Sequence, residues 1–445
     1  MVVKASSTLS GKAQPILQRS ILRFSVTAAI LAYCLSFNWS YIKWISPTWS
    51  YLGFVYRTPA PVLLVSGYVL AAVLGAFSPL IIQRVSQVFY WVLLFIVYVP
   101  SLFVPIFMQF DNSSTLLLMQ LCMTSGMLFI ALSYKVHLLD LPHYPLKRRS
   151  FWTMFFILFV FLNAIVLAVS HGRLHLASLD EVYAQRVLGG EIVRANPGLS
   201  YVHSALSNVM NPLLIAYGLS AGRRRLIALG IFGQIVIYAT GAMKSVLLSP
   251  LLIALFYYSL KKDRGGWVPK TGLFFAGTCF AVTELVIGQK VSRILFAVGA
   301  LLLMRTYAIG GVLLAQYQYF FERHPHTYMA HVTGISWFVH NPYTMATGQE
   351  IATYYGEIGA NSNAHFFAMD GITGFGLVGI PIMGILCAAV FWLLDSCTRG
   401  HTISFSASAL TVCIISLTSS SLFSTLLGGG LLAGMLLFIF MPLVE

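Results

Sequence analysis

Residues 87–108, QVFYWVLLFIVYVPSLFVPIFM, carry no charge and are long enough to cross a bilayer as a helix. Similar apolar stretches recur along the 445-residue chain, and the mean hydropathy of +0.82 is too high for a water-soluble globule. The sequence therefore predicts an all-α polytopic integral membrane protein with a single transmembrane domain over residues 1–445.

Windows of roughly 20 apolar residues predict about 12 transmembrane helices, with a range of about 11 to 14. They lie near 21–38, 61–83, 87–108, 114–134, 151–170, 206–222, 226–240, 245–260, 271–289, 371–394, 404–421 and 424–443. The N-terminal basic and apolar run has no clear cleavage site after it, so we expect a retained first helix.

Clusters of lysine and arginine set the expected orientation. They precede the first helix and recur at 147–149, 223–225 and 261–264, after alternate spans, so these sides and both termini are expected to be cytoplasmic. Two long connections, 171–205 and 290–370, then face outward. Arg305 interrupts an apolar run within 294–314, which predicts an amphipathic or re-entrant piece there.

The basic residues and the cysteines exclude some functions. The net charge of +14 lies in short clusters between apolar runs, as the positive-inside rule expects, which argues against nucleic-acid binding. The six cysteines stand singly without CxxC pairs, so neither a disulfide framework nor a zinc site is predicted.

The first outer loop carries Arg173, Arg186 and Arg194 on the side where cations are disfavoured. An anionic ligand would explain them, because the arginine fork matches phosphate oxygens; ion pairing within a solvated loop is the alternative. Tyr183 shares a helical face with Arg186 and is a candidate for stacking on a sugar, or else a packed tyrosine.

Further cations are expected near membrane level. Lys244 precedes a helix start, where amides and an ammonium together suit an anion, although the side chain could equally snorkel to the interface. Lys290, Arg293 and Arg305 fit a cationic collar around a lipid-linked phosphate.

The second loop, 290–370, is the longest polar stretch and holds the candidate acid–base residues. These are the carboxylates Glu350, Glu357 and Asp370 and the imidazoles His324, His326, His331, His340 and His365. His365 is favoured because it lies at the membrane-side rim, flanked by Asn361, Asn363 and Asp370; a structurally hydrogen-bonded histidine is the alternative. No metal site is predicted, since proline separates His324 from His326 and no helical ligand pair appears.

Five short motifs occur in a fixed order: LDEVY at 179–183 with Arg186, TGAMKS at 240–245, RTY at 305–307, QYQYFF at 316–321 and NSNAHFFA at 361–368 with Asp370. In this order they resemble bacterial oligosaccharide repeat-unit polymerases of the Wzy type. The likeness covers about 170 to 380, and the same pattern is also typical of O-antigen ligases.

The resemblance implies a GT-C-like glycosyltransferase of the bacterial inner membrane with its active site on the periplasmic side. Such an enzyme transfers a growing glycan from undecaprenyl diphosphate onto a new lipid-linked repeat unit, giving O-antigen of lipopolysaccharide or a related surface polysaccharide. It uses no cofactor, metal or nucleotide sugar. The expected partners are the undecaprenyl-diphosphate-linked oligosaccharide, the bilayer, a chain-length regulator and a flippase.

Site roles carried over from the resemblance are expectations. Diphosphate contacts are expected at Arg186, Arg305, Arg173, Lys244 and Arg293, because cations that stabilise a diphosphate leaving group contribute strongly to such a reaction. The base or its orienter is expected among His365, Asp370 and Glu357. Sugar contacts are expected at Tyr183, Asn361, Asn363 and Glu350.

Three other functions stay open from the sequence. An O-antigen ligase would share the donor but use a lipid A core acceptor. A lipid-linked oligosaccharide flippase or other transporter would line its bundle midplane with charge and have short outer loops. A membrane scaffold would use the polar loops as partner surfaces.

Overall fold

The computed structural model describes residues 4–141, 144–170, 196–241, 243–262, 266–288, 292–332, 334–357 and 360–443. Within these ranges the chain is helical and contains no β-strand. Eight helical segments there are long and apolar enough to cross a bilayer. They are Leu17–Leu52, Val85–Met108, Ser113–Ser133, Arg148–Val169, Trp267–Ile287, Arg293–Phe321, Phe367–Cys397 and Leu422–Phe440. The predicted all-α, multi-pass membrane class is therefore confirmed.

The structure differs in detail from the predicted twelve spans. Two apolar helices at predicted positions are shorter, Pro61–Phe77 and Ser245–Lys261. The stretch predicted as one span near 404–421 forms two short helices, Ile403–Ala409 and Thr411–Ser416. Serine and threonine hydroxyls in this stretch bond to backbone carbonyls one turn earlier, which bends helices.

The chain divides into two units, of which the first comprises residues 1–82, 90–136 and 264–388. Its first long helix packs against Trp267–Ile287. Ser40 Oγ donates to the Cys279 carbonyl at 2.8 Å and accepts from Thr283 Oγ1 at 2.7 Å. Small side chains and hydroxyls allow such close approach between apolar helices.

The helix Arg293–Phe321 bends at a π-helical segment, Ala300–Ala308. Before the bend, the Phe296 ring lies 5.8 Å from the Trp44 ring. At the bend, the Tyr307 ring lies 6.2 Å from the Tyr33 ring. Tyr33 precedes Trp44 by about three helical turns along the first helix.

After the bend, the helix runs back toward the level of Trp44 on the first helix. Gln316 packs against Gly53, and the neighbouring Phe54 ring lies 6.5 Å from the Tyr41 ring, near the level of Trp44. Both ends of Arg293–Phe321 therefore lie toward the same end of the first helix, although the segment is long enough to span. The sequence placed this stretch in the outer loop 290–370, whereas the structure gives it the length and composition of a span. The re-entrant piece within 294–314 stays a prediction.

The segment Phe367–Cys397 is also broken. Gly376 has φ +63° and ψ −150°, a conformation open to glycine, and it turns the chain back. The backbones of Gly371 and Gly379 then touch, with no room for a Cβ at either position. Phe367–Phe375 thus precedes a separate helix, Gly379–Cys397.

The second unit comprises residues 83–89, 137–263 and 389–445. Besides Arg148–Val169 it contains the helices Pro197–Ser204, Ala205–Met210, Asn211–Ser220, Arg224–Gly241, Lys244–Lys262, Leu422–Leu426 and Leu431–Phe440. Asn211–Ser220 and Arg224–Gly241 form a hairpin in which Gly218 and Gly230 permit close backbone contact. The buried Asp395 accepts hydrogen bonds from Ser86 N at 2.9 Å and Ser86 Oγ at 2.6 Å, at the start of the helix that begins at Val85.

Candidate functional site

The loop after Phe321 packs against the first part of the broken Phe367–Cys397 segment, within the first unit. Thr327 N donates to the Thr373 carbonyl at 2.9 Å, and Met329 packs against Gly374. The polar stretch after Phe321 is thereby joined to the turn at Gly376. This junction brings a histidine and an aspartate together that lie 39 residues apart in the chain.

The central pair is His331 and Asp370. His331 Nε2 lies 3.1 Å from Asp370 Oδ1, and His331 Nδ1 lies 3.0 Å from Thr327 Oγ1. The Asp370 side chain is fully buried, whereas 15% of the His331 side chain is exposed. A buried carboxylate therefore orients an imidazole that solvent can reach.

Thr327 gives this pair two hydrogen-bonding states. Its Oγ1 can donate to His331 Nδ1, or it can donate to the Thr373 carbonyl at 3.3 Å and accept from a protonated Nδ1. Because Nε2–H is directed at Asp370, the Nδ1 lone pair is available only when the Thr327 hydroxyl turns to the Thr373 carbonyl. That lone pair is the one that a general base would use.

The backbone between Thr327 and His331 is strained. Tyr328 and Met329 have φ +48° and +68°, the left-handed region that non-glycine residues rarely adopt. Consecutive residues of this kind persist only where the surroundings fix them, and they cluster at functional sites. The strain lies directly beside the imidazole.

His365, the histidine favoured by the sequence, lies deeper than His331. Its ring is fully buried, with Nε2 3.4 Å from Ser101 Oγ and with Gly310 against its edge. Burial lowers the pKa of His365 to about 3, while hydrogen bonding to the Gly310 backbone acts weakly the other way. The ring is therefore neutral at ordinary pH and closed to solvent, and its role as the base stays a prediction.

Three π-helical segments surround this region: Leu94–Tyr98, Ala300–Ala308 and Phe367–Ile372. The second contacts the first, and the third contacts the straight part of Arg293–Phe321. Such segments are rare and frequently occur at functional sites. Tyr317, on that straight part, donates to the Ser362 carbonyl at 2.9 Å and so fixes the chain just before His365.

Three of the four predicted sugar contacts, Asn361, Asn363 and Glu350, gather at one helix start. Asn361 and Asn363 pack against Gly348, and Ser362 N donates to the Gly348 carbonyl at 2.9 Å, at the beginning of Thr347–Tyr354. Glu350, in the first turn of this helix, accepts from Met345 N at 3.2 Å. Burial raises the pKa of Tyr343 to about 12, and the Glu350 carboxylate acts in the same direction.

The other predicted residues are more scattered. Glu357 is exposed. Arg293 and Arg305 are also exposed, and their guanidinium groups form no hydrogen bond or ion pair with the described part of the chain. Lys244 begins the helix Lys244–Lys262. Four predictions fall outside the described residues: Arg173, Tyr183, Arg186 and Lys290.

Sequence reasoning did not single out two residues of the site, Thr327 and His331. Thr327 carried no signal, and His331 was one of five histidines without a distinguishing neighbour. A second carboxylate interaction was also missed: burial raises the pKa of Glu322, and the nearby Asp111 raises it further, against the hydrogen bond from Gln318. Within the described ranges no three His, Cys, Asp or Glu side chains converge as a metal-ligand set.

Comparisons with known proteins give no relative: no family model, no curated protein and no solved structure matches the chain. The fold is that of a multi-pass, all-helical membrane protein.

Proposed function

We propose that this protein is a membrane glycosyltransferase that polymerises undecaprenyl-diphosphate-linked oligosaccharide repeat units at the periplasmic face of a bacterial inner membrane. The observation that carries the proposal is the pair of partly exposed His331 and fully buried Asp370, in the unit that contains the bent helix Arg293–Phe321. The motif order that resembles the Wzy-type polymerases supports it independently.

In this proposal the acceptor sugar hydroxyl attacks C1 of the donor glycan. The bond between C1 and the diphosphate oxygen breaks, and undecaprenyl diphosphate leaves with the electron pair. Thr327 first turns its hydroxyl from Nδ1 to the Thr373 carbonyl, and the acceptor hydroxyl takes its place beside the ring. Nδ1 of His331 then takes the hydroxyl proton, and Asp370, which accepts from Nε2–H, stabilises the resulting imidazolium.

Arginines are assigned to the leaving group. Arg305 is exposed on the bent helix with no described ion-pair partner, and a guanidinium keeps its charge at any working pH. Stabilisation of charge on the departing diphosphate is expected to contribute more than activation of the acceptor. Arg186, Arg173, Arg293 and Lys244 remain predicted contacts.

The test is reconstitution of the purified protein in liposomes with undecaprenyl-diphosphate-linked repeat units, followed by gel analysis of glycan length. A ladder supports a polymerase. Glycan that appears only on added lipid A core would favour the ligase.

A transporter is the second candidate, because the buried Asp370 and the broken helices are features that proton-coupled transporters also use. It predicts that labelled lipid-linked glycan crosses the bilayer and that no ladder forms. That result would overturn the enzyme proposal.

A further inference from the structure

The second unit contains a groove of about 1150 Å³. It is lined by the first half of Arg148–Val169, by Tyr217 and by the start of the next helical hairpin. The lining includes Arg148, Arg149, Trp152, Phe161, Tyr217 and Arg223. None of them takes part in the site described above.

One end of the groove is strongly basic. Arg148 donates to Tyr217 Oη at 2.8 Å, and Arg149 and Arg223 lie at the same end. The guanidinium groups of Arg149 and Arg223 form no hydrogen bond or ion pair with the residues that the structure describes, and no acidic residue lines the groove. Charge that the protein itself does not balance calls for an external anion.

Helix geometry adds to this positive end. Arg148–Val169 and Arg224–Gly241 both begin here, so the amide-rich N-termini of two helices face the same region as the arginines. Free amides and the helix dipole at an N-terminus favour negative charge, most of all phosphate.

The remainder of the groove is apolar and open on the surface. The Trp152 ring lies 4.5 Å from the Tyr217 ring and forms the floor below the arginines. Beyond it, Ile157, Val160 and Phe161 are each at least 60% exposed. From Arg149 to Phe161 the helix rises about 18 Å, close to the thickness of one leaflet of the hydrocarbon core and its interface.

We infer that this groove binds an anionic phospholipid, with its phosphodiester between Arg149 and Arg223 and an acyl chain along Trp152 to Phe161. Any apolar face of a membrane protein contacts lipid. The unbalanced arginines make this groove selective for charge, and the apolar length makes it selective for a lipid over a free phosphate. The positive-inside pattern predicts the cytoplasmic leaflet, whose anionic lipids attract such clusters.

The test compares lipids and matched variants. Full-length protein in neutral detergent is titrated with phosphatidylglycerol, phosphatidylcholine or soluble glycerophosphate, and bound molecules are counted by native mass spectrometry. Arg149→Gln with Arg223→Gln is compared with Arg224→Gln and Arg225→Gln, which lie in the same basic cluster but outside the groove lining.

Phosphatidylglycerol is expected to bind most tightly. Since one basic residue near a membrane surface contributes about a five-fold effect, the groove pair should weaken this binding by roughly 25-fold and the control pair by less than about two-fold. Val160→Trp, at an exposed apolar position, should weaken phosphatidylglycerol binding while leaving the fold intact.

Three results would overturn the inference. Equal binding of phosphatidylcholine would remove the charge selectivity, and equal losses in both arginine pairs would reduce the effect to a general surface field. Glycerophosphate binding as tightly as phosphatidylglycerol would make this a free-anion site. None of these outcomes depends on the proposed glycosyltransferase activity.

Discussion

Two basic or ionisable regions of the molecule handle charge in opposite ways. In the first unit, Asp370 is fully buried and contacts His331. In the second, Arg149 and Arg223 stand at a surface groove without a described partner. Burying a charge costs free energy unless the charge is paired, whereas an exposed arginine is solvated by water and remains available to bind an external anion. The comparison separates a centre suited to internal proton transfer from one suited to holding a lipid.

The largest difference is expected in stability. Asp370→Ala removes the buried hydrogen-bond partner of His331 and should lower the free energy of unfolding by about 1–3 kcal/mol. Arg223→Gln, at an exposed position, should change it by less than about 0.5 kcal/mol. Denaturant unfolding in micelles measures the free energy of unfolding of both variants. Equal losses would contradict the difference proposed between the two regions.

A second difference is expected with pH. The pKa of His365 is about 3 in the folded protein against an ordinary value of 6.5, so between these values only the unfolded chain binds the proton. Stability should therefore fall as pH drops below about 6.5. Lipid binding by the arginines should not change over this range.

The measurement is the unfolding midpoint at several pH values between 7.5 and 4.5. His365→Asn should flatten its decline on acidification, while His340→Asn, at an exposed loop histidine, serves as control. An unchanged slope in His365→Asn would show that the buried ring is not responsible.

Salt is expected to weaken lipid binding at the groove more than it changes the contribution of the buried Asp370 to stability. Screening lengths shorten from about 10 Å at 0.1 M to about 3 Å at 1 M, so phosphatidylglycerol binding to the groove should weaken several-fold. The stability loss caused by Asp370→Ala should change little, because buried pairs are screened less. Salt-insensitive lipid binding would indicate that the arginines do not carry it.

The smallest expected effect concerns Glu322 and Asp111. The pKa of Glu322 is raised in the folded protein. The free energy of unfolding therefore falls as the pH rises above the ordinary pKa of a glutamate, because the carboxyl loses its proton more easily in the unfolded chain. Asp111→Asn should relieve this and stabilise the protein by less than about 1 kcal/mol at pH 7.5, with a smaller gain at pH 5. The thermal midpoint checks this, and destabilisation at pH 7.5 would contradict it.

Hydrophobicity alone predicted much of the fold. The span predicted at 114–134 is the helix Ser113–Ser133, whose start is fixed by Asn112 accepting from Thr115 N at 2.9 Å. The π-helical bend at Ala300–Ala308 also lies where Arg305 marked an irregular apolar run. The break at Leu410 was missed, because serine and threonine hydroxyls lower hydropathy only slightly while they bend the helix.

The candidate site was harder to predict for a physical reason. His331 lies in a loop and Asp370 in a π-helical segment, and the bond from Thr327 to Thr373 helps to hold them together. The loop has no helical period that would relate sequence spacing to a shared face. Proximity in sequence favoured His365 and Asp370 as neighbours, but the structure buries His365 against Ser101 instead.

The most direct test of the account compares four proteins in the reconstituted glycan assay: wild type, His331→Gln, Asp370→Asn and the exposed control Arg225→Gln. A glycan ladder is expected for wild type and for the control. A rate reduced by about 10²-fold or more is expected for both site variants, although they purify as folded protein. Ladders formed at the wild-type rate by His331→Gln and Asp370→Asn would contradict the assignment of catalysis to this pair.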